Sequence, residues 1–417
     1  MIQRCMVALF ASSLLAVPVF AGEPTPSTPE VSAPARLEAP VPAGPMDSPL
    51  LADFSHEDHG PGYGKNLWFS ADFEFAWLKG MRVPPLVTTS PAGTAQANAG
   101  ILGSSTTTVL FGNKETDSGW RPGTSLDMGY WLNADHTLGI QAGYRIIGAE
   151  NTTFTSTSNG TTILARPFTN ATTGAATAVL IGFPGLSSGS ILARTSSNNF
   201  QGIHLDMTEQ WNCSKYLRFE SVFGYRYFRY DEDLDVAQTM NPLGATFVPG
   251  TVITANDHFA TKNEFNGGEF GLRTTLMMDR FFVQVLTQVD VGQMYNTVTI
   301  NGASQVAVPG TPVSNRVGGL LALPSNIGTF TGFKWVAMPE IGATFGYQWN
   351  ENVKLKIGYS FVELSNVARP GDQVDLTVNT TLLPGNGPAT GATRPAFTFH
   401  RSDVWVQSLN LGVELSF

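Results

Sequence analysis

The sequence predicts an all-β chain, a transmembrane antiparallel up-and-down β-barrel of about ten strands, with short periplasmic turns and long extracellular loops. Three observations carry that expectation. The C-terminal stretch from Asp403 alternates with a period of two, with Leu409, Leu411, Val413, Leu415 and Phe417 set against Ser408, Asn410, Gly412, Glu414 and Ser416. Strand-like runs upstream are joined alternately by short turns and long connections. Charged residues make up only 14% of the chain, against about 25% in soluble domains, which favours a surface that faces lipid.

Met1 to Ala21 carries one positive charge at Arg4, an apolar run from Val7 to Val17, and small residues before Gly22. The run is too short to span a bilayer as a helix, which needs about 20 residues, and it reads as a secretory signal cleaved after Ala21. Residues 22–65 follow as a Pro-, Ala- and Ser-rich lead-in without periodicity, expected to remain a mobile periplasmic spacer. Two His and three acids lie between Asp53 and His59, but a metal site needs fixed geometry and none is expected there. Cys5 leaves with the signal, so Cys213, in the turn from Asn212 to Lys215, is expected to be a lone, inert thiol.

No later stretch is apolar enough for a membrane helix, so residues 66–417 must cross a membrane, if they do, as paired strands. Leu67, Phe69, Ala71, Phe73, Phe75 and Trp77 form one face of the first strand, with Ser70, Asp72 and Glu74 on the other. Hairpins follow at about 125–132 and 137–147, 200–211 and 216–230, 263–278 and 281–297, and 340–349 and 353–364. Together with the first and last strands this is an even number, as in bacterial barrels. Stretches at Thr106 to Phe111 and Leu376 to Thr381 would raise the count to twelve if they joined the wall. The long connections run roughly over 80–121, 151–199, 233–261, 301–335 and 365–402. Their apolar segments, Ile163 to Ala165, Val179 to Ile181 and Leu320 to Leu323, are too apolar for plain disorder, so some loops are expected to pack on one another or to fold into the mouth.

Several segments, taken in order, resemble the bacterial putative beta-barrel porin family 7. They are Thr108 to Gly112, Gly129 to Leu132, Phe223 to Tyr227, Phe265 to Gly271, Met338 to Gly342, Arg369 to Asp375 and Ser402 to Gly412. The resemblance implies an outer-membrane barrel and a pore by name. It transfers no catalytic or binding residue.

The register assigns Asp72, Glu74, Asp127, Arg145, His204, Asp206, Arg218, Glu220, Arg226, Glu269, Arg273, Asp290, Glu340, Lys354, Lys356 and Glu414 to the lumen. They either line a narrow charged passage for small solutes or pair across the barrel and close it. A closed structural barrel that binds partners through its loops is the alternative function. A hydrolase built on the Asp72/Glu74 or His204/Asp206 pairs is the weaker one, because a polar lumen produces such pairs by alternation alone. No enzyme, cofactor or metal is therefore expected. Arg369 is expected to pin its loop through Asp372 or Asp375. The net charge of −9 argues against nucleic acid. Outer-membrane lipid, and the barrel-assembly machinery engaging the C-terminal strand through Leu409, Leu411, Val413, Leu415 and Phe417, are the expected partners.

Overall fold

A computed structural model describes residues 66–417; the signal and lead-in readings, and the early His and acid cluster, lie outside the described residues. Ten strands close into a ring in chain order: β1 Leu67–Leu78, β2 Trp120–Trp131, β3 Leu138–Ile147, β4 Ser187–Asn212, β5 Leu217–Pro242, β6 Val252–Met278, β7 Phe281–Ala307, β8 Gly328–Gln348, β9 Val353–Val367 and β10 Ser402–Ser416. Each pairs antiparallel with its neighbours, and β10 closes on β1 from Trp68↔Ser416 to Leu78↔Val406. Thr108–Phe111 and Thr377–Val378 are strands but not wall strands, so the ring has ten members and not twelve. Cys213 is disulfide-bonded, not the lone thiol expected from sequence.

The short connections are tight for identifiable reasons. Asn133 Oδ1 accepts the N–H groups of Thr137 and Leu138, both at 3.0 Å, holding the β2–β3 turn. Asp279, at φ 52°, takes the left-handed position of the two-residue β6–β7 turn. From this turn end, the outward side chains form an apolar belt that includes Phe73, Met128, Leu205, Phe223, Phe270, Ile357 and Leu411, all exposed. Phe219 shares the parity of Phe223 but is buried, so it does not belong to the exposed belt.

Beyond the belt the polarity of the wall inverts. On β5 the inward residues Glu232, Leu234 and Val236 are buried, while Asp231, Asp233 and Asp235 alternate with them on the outside. Arg229, His258 and Lys262 meet Asp231, Asp235 and Glu264 there at 2.5, 2.6 and 2.8 Å. The apolar residues thus change parity part-way along a continuous strand. Sequence reading ends β5 where its outer face turns polar; the structure carries it on to Pro242, and β4, β6, β7 and β8 likewise run past their expected ends. On β4 a bulge between Asn198 and Gln201, with Asn199 at φ 52°, shifts the inward set from odd to even positions.

Strands β4 to β7 are 26 or 27 residues long, whereas β1, β2, β3, β9 and β10 have 10 to 15, so the wall is tall on one side. Loops from the short side cover the inner face of the tall one. Ala176–Gly182, Leu164–Asn170, Val87–Thr89 and Thr108–Phe111 form a second sheet, with Thr377–Val378 added parallel to Leu164–Asn170. Its Val87, Phe111, Leu164, Phe168 and Ile181 pack with Ile191, Leu234, Phe259 and Ile300 of the wall and with Leu320–Leu323. Each such side chain, fully buried, contributes up to about 1.5–3 kcal/mol, so this is a dry plug rather than a set of loose loops.

Polar anchors fix the plug in register. Asp257 Oδ1 accepts the N–H groups of Leu320, Leu321 and Ala322 at 2.8–2.9 Å, while its Oδ2 pairs with buried Arg166 at 2.7 Å. Pro339, which has no N–H, lies where the β8–β9 ladder ends at Glu340↔Val362. Asn366, at φ 60°, turns β9 inward. Ala368 then exchanges hydrogen bonds of 2.8 and 2.9 Å with Asn263 of β6.

Replacing Leu411 with Arg puts a charge in the belt and is expected to cost about 2–4 kcal/mol, measured by denaturant unfolding in lipid; a change within about 0.5 kcal/mol would place Leu411 off the bilayer. Asp375, outside the wall, accepts Arg394 Nη1 at 2.8 Å and the N–H groups of Thr377 and Ala396 at 2.9 Å. Burial opposes its charge, but the Ala396 N–H, Arg394 and Thr377 N–H outweigh burial and hold its pKa below the ordinary 3.8. Because the folded value is the lower one, its anchoring is complete above the unfolded value and is lost as pH falls through the folded value. Limited proteolysis should find the 376–396 loop protected at pH 5 and opened by acidification below about pH 4, and Asp375→Asn should abolish that dependence.

Candidate functional site: a charge-paired lumen under a plug

Alternation along the strands aims every second residue into a narrow interior, and there fifteen of the sixteen assigned residues pair with one another, Arg218 being the exception. Near the turns, Arg273 pairs with Glu220 at 2.6 Å, Lys354 with Glu414 at 2.6 Å, and Arg218 donates to Asn212 at 3.3 Å. Lys356 reaches Asp72 at 3.1 Å and Ser70 at 2.6 Å. His204 lies between two acids, with Nδ1 at 2.5 Å from Asp206 and Nε2 at 3.0 Å from Asp127. Arg145 bridges Glu74 and Ser408, both at 2.9 Å. Arg226 gathers Glu340 at 2.6 Å, Asp290 at 3.0 Å and Glu269 at 3.9 Å.

A band of apolar side chains covers this network. Phe200, Phe228, Phe265, Met294, Met338, Val362 and Val406, one from each of β4 to β10, are all buried in a single cluster. Phe228 stacks between Phe200 and Phe265, with ring centroids 6.2 and 5.5 Å away. A cavity of about 30 Å³ between network and band touches Arg145, His204, Arg226, Phe228, Met338 and Val362. It has room for roughly one or two waters, not for a solute.

Above the band a loop residue locks onto the wall. Arg369 Nε and Nη2 donate to Glu232 at 2.9 and 2.6 Å, and Nη1 donates to the Gly80 carbonyl at 2.7 Å. Although burial disfavours its charge, the Glu232 carboxylate holds Arg369 above the ordinary guanidinium range. Arg369 does pin its loop, but not through Asp372 or Asp375: the former accepts from Ser402 and the latter from Arg394. Tyr230 donates to Glu232 at 2.8 Å and meets Ser197 at 2.9 Å, and Ser197 in turn accepts from Arg121 at 2.8 Å. Sequence reading missed this layer. Its one local signal was the inward parity of β5, which continues from Arg226 through Phe228 and Tyr230 to Glu232.

A closed ten-stranded ring with an apolar outer belt, short turns at one end and a charged interior defines an outer-membrane β-barrel. The chain belongs to the family described as Putative beta barrel porin-7 (BBP7), which matches residues 68–417. No curated protein sequence matches it. Among solved structures, it is similar to the outer membrane protease OmpT of Escherichia coli, with 10% identity over 84% of this chain and 97% of that one, at a TM-score of 0.38. The toluene transporter TodX of Pseudomonas putida (8%, 84% and 89%, TM-score 0.20) and the translocator domain of the autotransporter NalP of Neisseria meningitidis (8%, 86% and 90%, TM-score 0.22) are similar at a lower level. At these scores the likenesses add nothing about mechanism.

Arg226→Ala would leave Asp290 and Glu340 buried without their cation. Loss of about 3–5 kcal/mol is expected, seen as a lower temperature for the heat-induced mobility shift. Arg226→Met combined with Asp290→Asn and Glu340→Gln should recover most of it.

Proposed function

We propose that this protein is a small-solute channel of the outer membrane, held shut in the state described here by the apolar band and the loop plug. The observation that carries this reading is the Arg369–Glu232 clamp, which ties a loop to the wall directly above the band through a buried ion pair. Once the loop withdraws, the charged network beneath becomes a wall able to select ions.

The alternative is a closed barrel acting through its loops. It is favoured by the mutual pairing of the lumen charges. We propose no catalytic role. His204 carries an acid at each ring nitrogen, so neither is open to take a proton from water, and the Asp72 carboxylate is taken up by Lys356 and Ser70. As partners we propose outer-membrane lipid along the belt and the assembly machinery at β10, whose outward Leu409, Leu411 and Val413 are exposed, as is Phe417 just beyond it.

Planar-bilayer recording of the refolded protein tests the channel reading. Wild type should show rare discrete openings, and Arg369→Ala should make them at least about tenfold more frequent, as expected when a clamp of 1.4 kcal/mol or more is removed. A correctly folded Arg369→Ala variant that stays silent would move the closed-barrel role ahead.

A further inference from the structure

Within the lumen two neighbouring carboxylates each keep one oxygen without a hydrogen-bond partner. Asp206, Gly224 and Glu269 are register partners across β4, β5 and β6. A Cβ at Gly224 would collide with Asp206 Oδ1, so glycine at that position lets the carboxylate lean over β5 towards Glu269. Asp206 Oδ1 and Glu269 Oε2 are both buried and both lack a hydrogen-bond partner. Arg226 is the nearest cation to Glu269, at 3.9 Å, and it is already engaged by Glu340 and Asp290 at shorter range. The cluster joins five carboxylates, Asp127, Asp206, Glu269, Asp290 and Glu340, to Arg226 and His204, with Arg145, Lys356 and Arg273 close enough to act on Glu340 and Asp127. A buried carboxylate oxygen without a partner is costly away from water unless a cation or a proton meets it.

We infer that His204, Asp206 and Glu269 form a binding site for one divalent transition-metal ion of the zinc class. One ligand atom from each already lies within 4.8 Å of the other two. The ion would take the place of the proton between His204 Nδ1 and Asp206, now 2.5 Å apart, and draw the Glu269 carboxylate in, to bonds of about 2.0–2.2 Å. One imidazole nitrogen with two carboxylates suits zinc better than calcium, which prefers an all-oxygen shell. The surrounding donors are already in place. With Nδ1 on the metal, His204 Nε2–H donates to Asp127 at 3.0 Å, fixing ring and tautomer, and Gln141 Nε2 holds Asp206 Oδ2 at 2.9 Å. The ion would tie β4 to β6 across β5, and its binding does not depend on whether the barrel conducts.

The refolded full chain, dialysed against Zn²⁺ and then against metal-free buffer, should retain about one equivalent by elemental analysis. Glu269→Gln should weaken retention by at least about tenfold, while His258→Ala, on the outer face, should leave it unchanged. Folded wild type that retains no zinc, or a folded Glu269→Gln protein that retains as much, overturns the site. If Glu269→Gln does not fold, Co²⁺ loaded into wild type decides. Weak visible bands without thiolate charge transfer support the site. No visible spectrum, or a thiolate band that puts the metal on a cysteine, overturns it.

Discussion

Hydrocarbon offers no partner to a peptide N–H or carbonyl, and the rest of this structure follows from that constraint. It requires β10 to close on β1, because a free edge in lipid would leave a row of such groups unsatisfied. Closure with ten strands fixes a narrow interior. Side chains that alternate inward cannot all keep their own water, so the acids and bases must find one another. The pairings Lys356–Asp72, Arg145–Glu74 and Arg226 with Asp290 and Glu340 are therefore a consequence of ring size as much as of residue choice.

The wall solves two opposite solvation problems along one set of strands. In the belt half, lipid lies outside and charge inside; in the loop half, charge faces water and apolar side chains face inward. The second arrangement is stable only if something apolar fills the trough formed by the tall strands. The loops of the short side do so, and their polar backbone is satisfied by buried anchors such as Asp257 and Asn263. Between the two regimes, the apolar band separates the charged network from the plug, and the Arg369–Glu232 pair sits on the plug side of that boundary.

How much of this could be read in advance depended on where the alternation kept its phase. In the belt half, Leu411 and Val413, or Phe223 and Tyr225, stay on one parity against polar neighbours, so strands and inward positions were legible there. On β5 the apolar parity changes between Tyr227 and Leu234 without a break in the strand, and a reader of periodicity sees a strand end. The bulge at Asn199 hides β4 in the same way. Arg369 shows a different limit. Its loop role could be guessed, but Asp372 and Asp375 were the acids near it in sequence, whereas the acid near it in space was Glu232 on β5.

What the sequence determined by itself is local and periodic: all-β character, the closing strand, the alternation of short and long connections, and which side chains in the belt half share the inward face. These follow from the two-residue repeat of an extended chain, which needs no knowledge of distant neighbours. Only the tertiary structure decided the strand count, because Thr108–Phe111 and Thr377–Val378 look like wall strands until the plug takes them. It alone also decided who pairs with whom across the lumen, that Asp206 Oδ1 and Glu269 Oε2 are left over, and that the mouth is filled. Those outcomes depend on ring closure, which brings residues far apart in the chain to within hydrogen-bond reach and which no local repeat encodes.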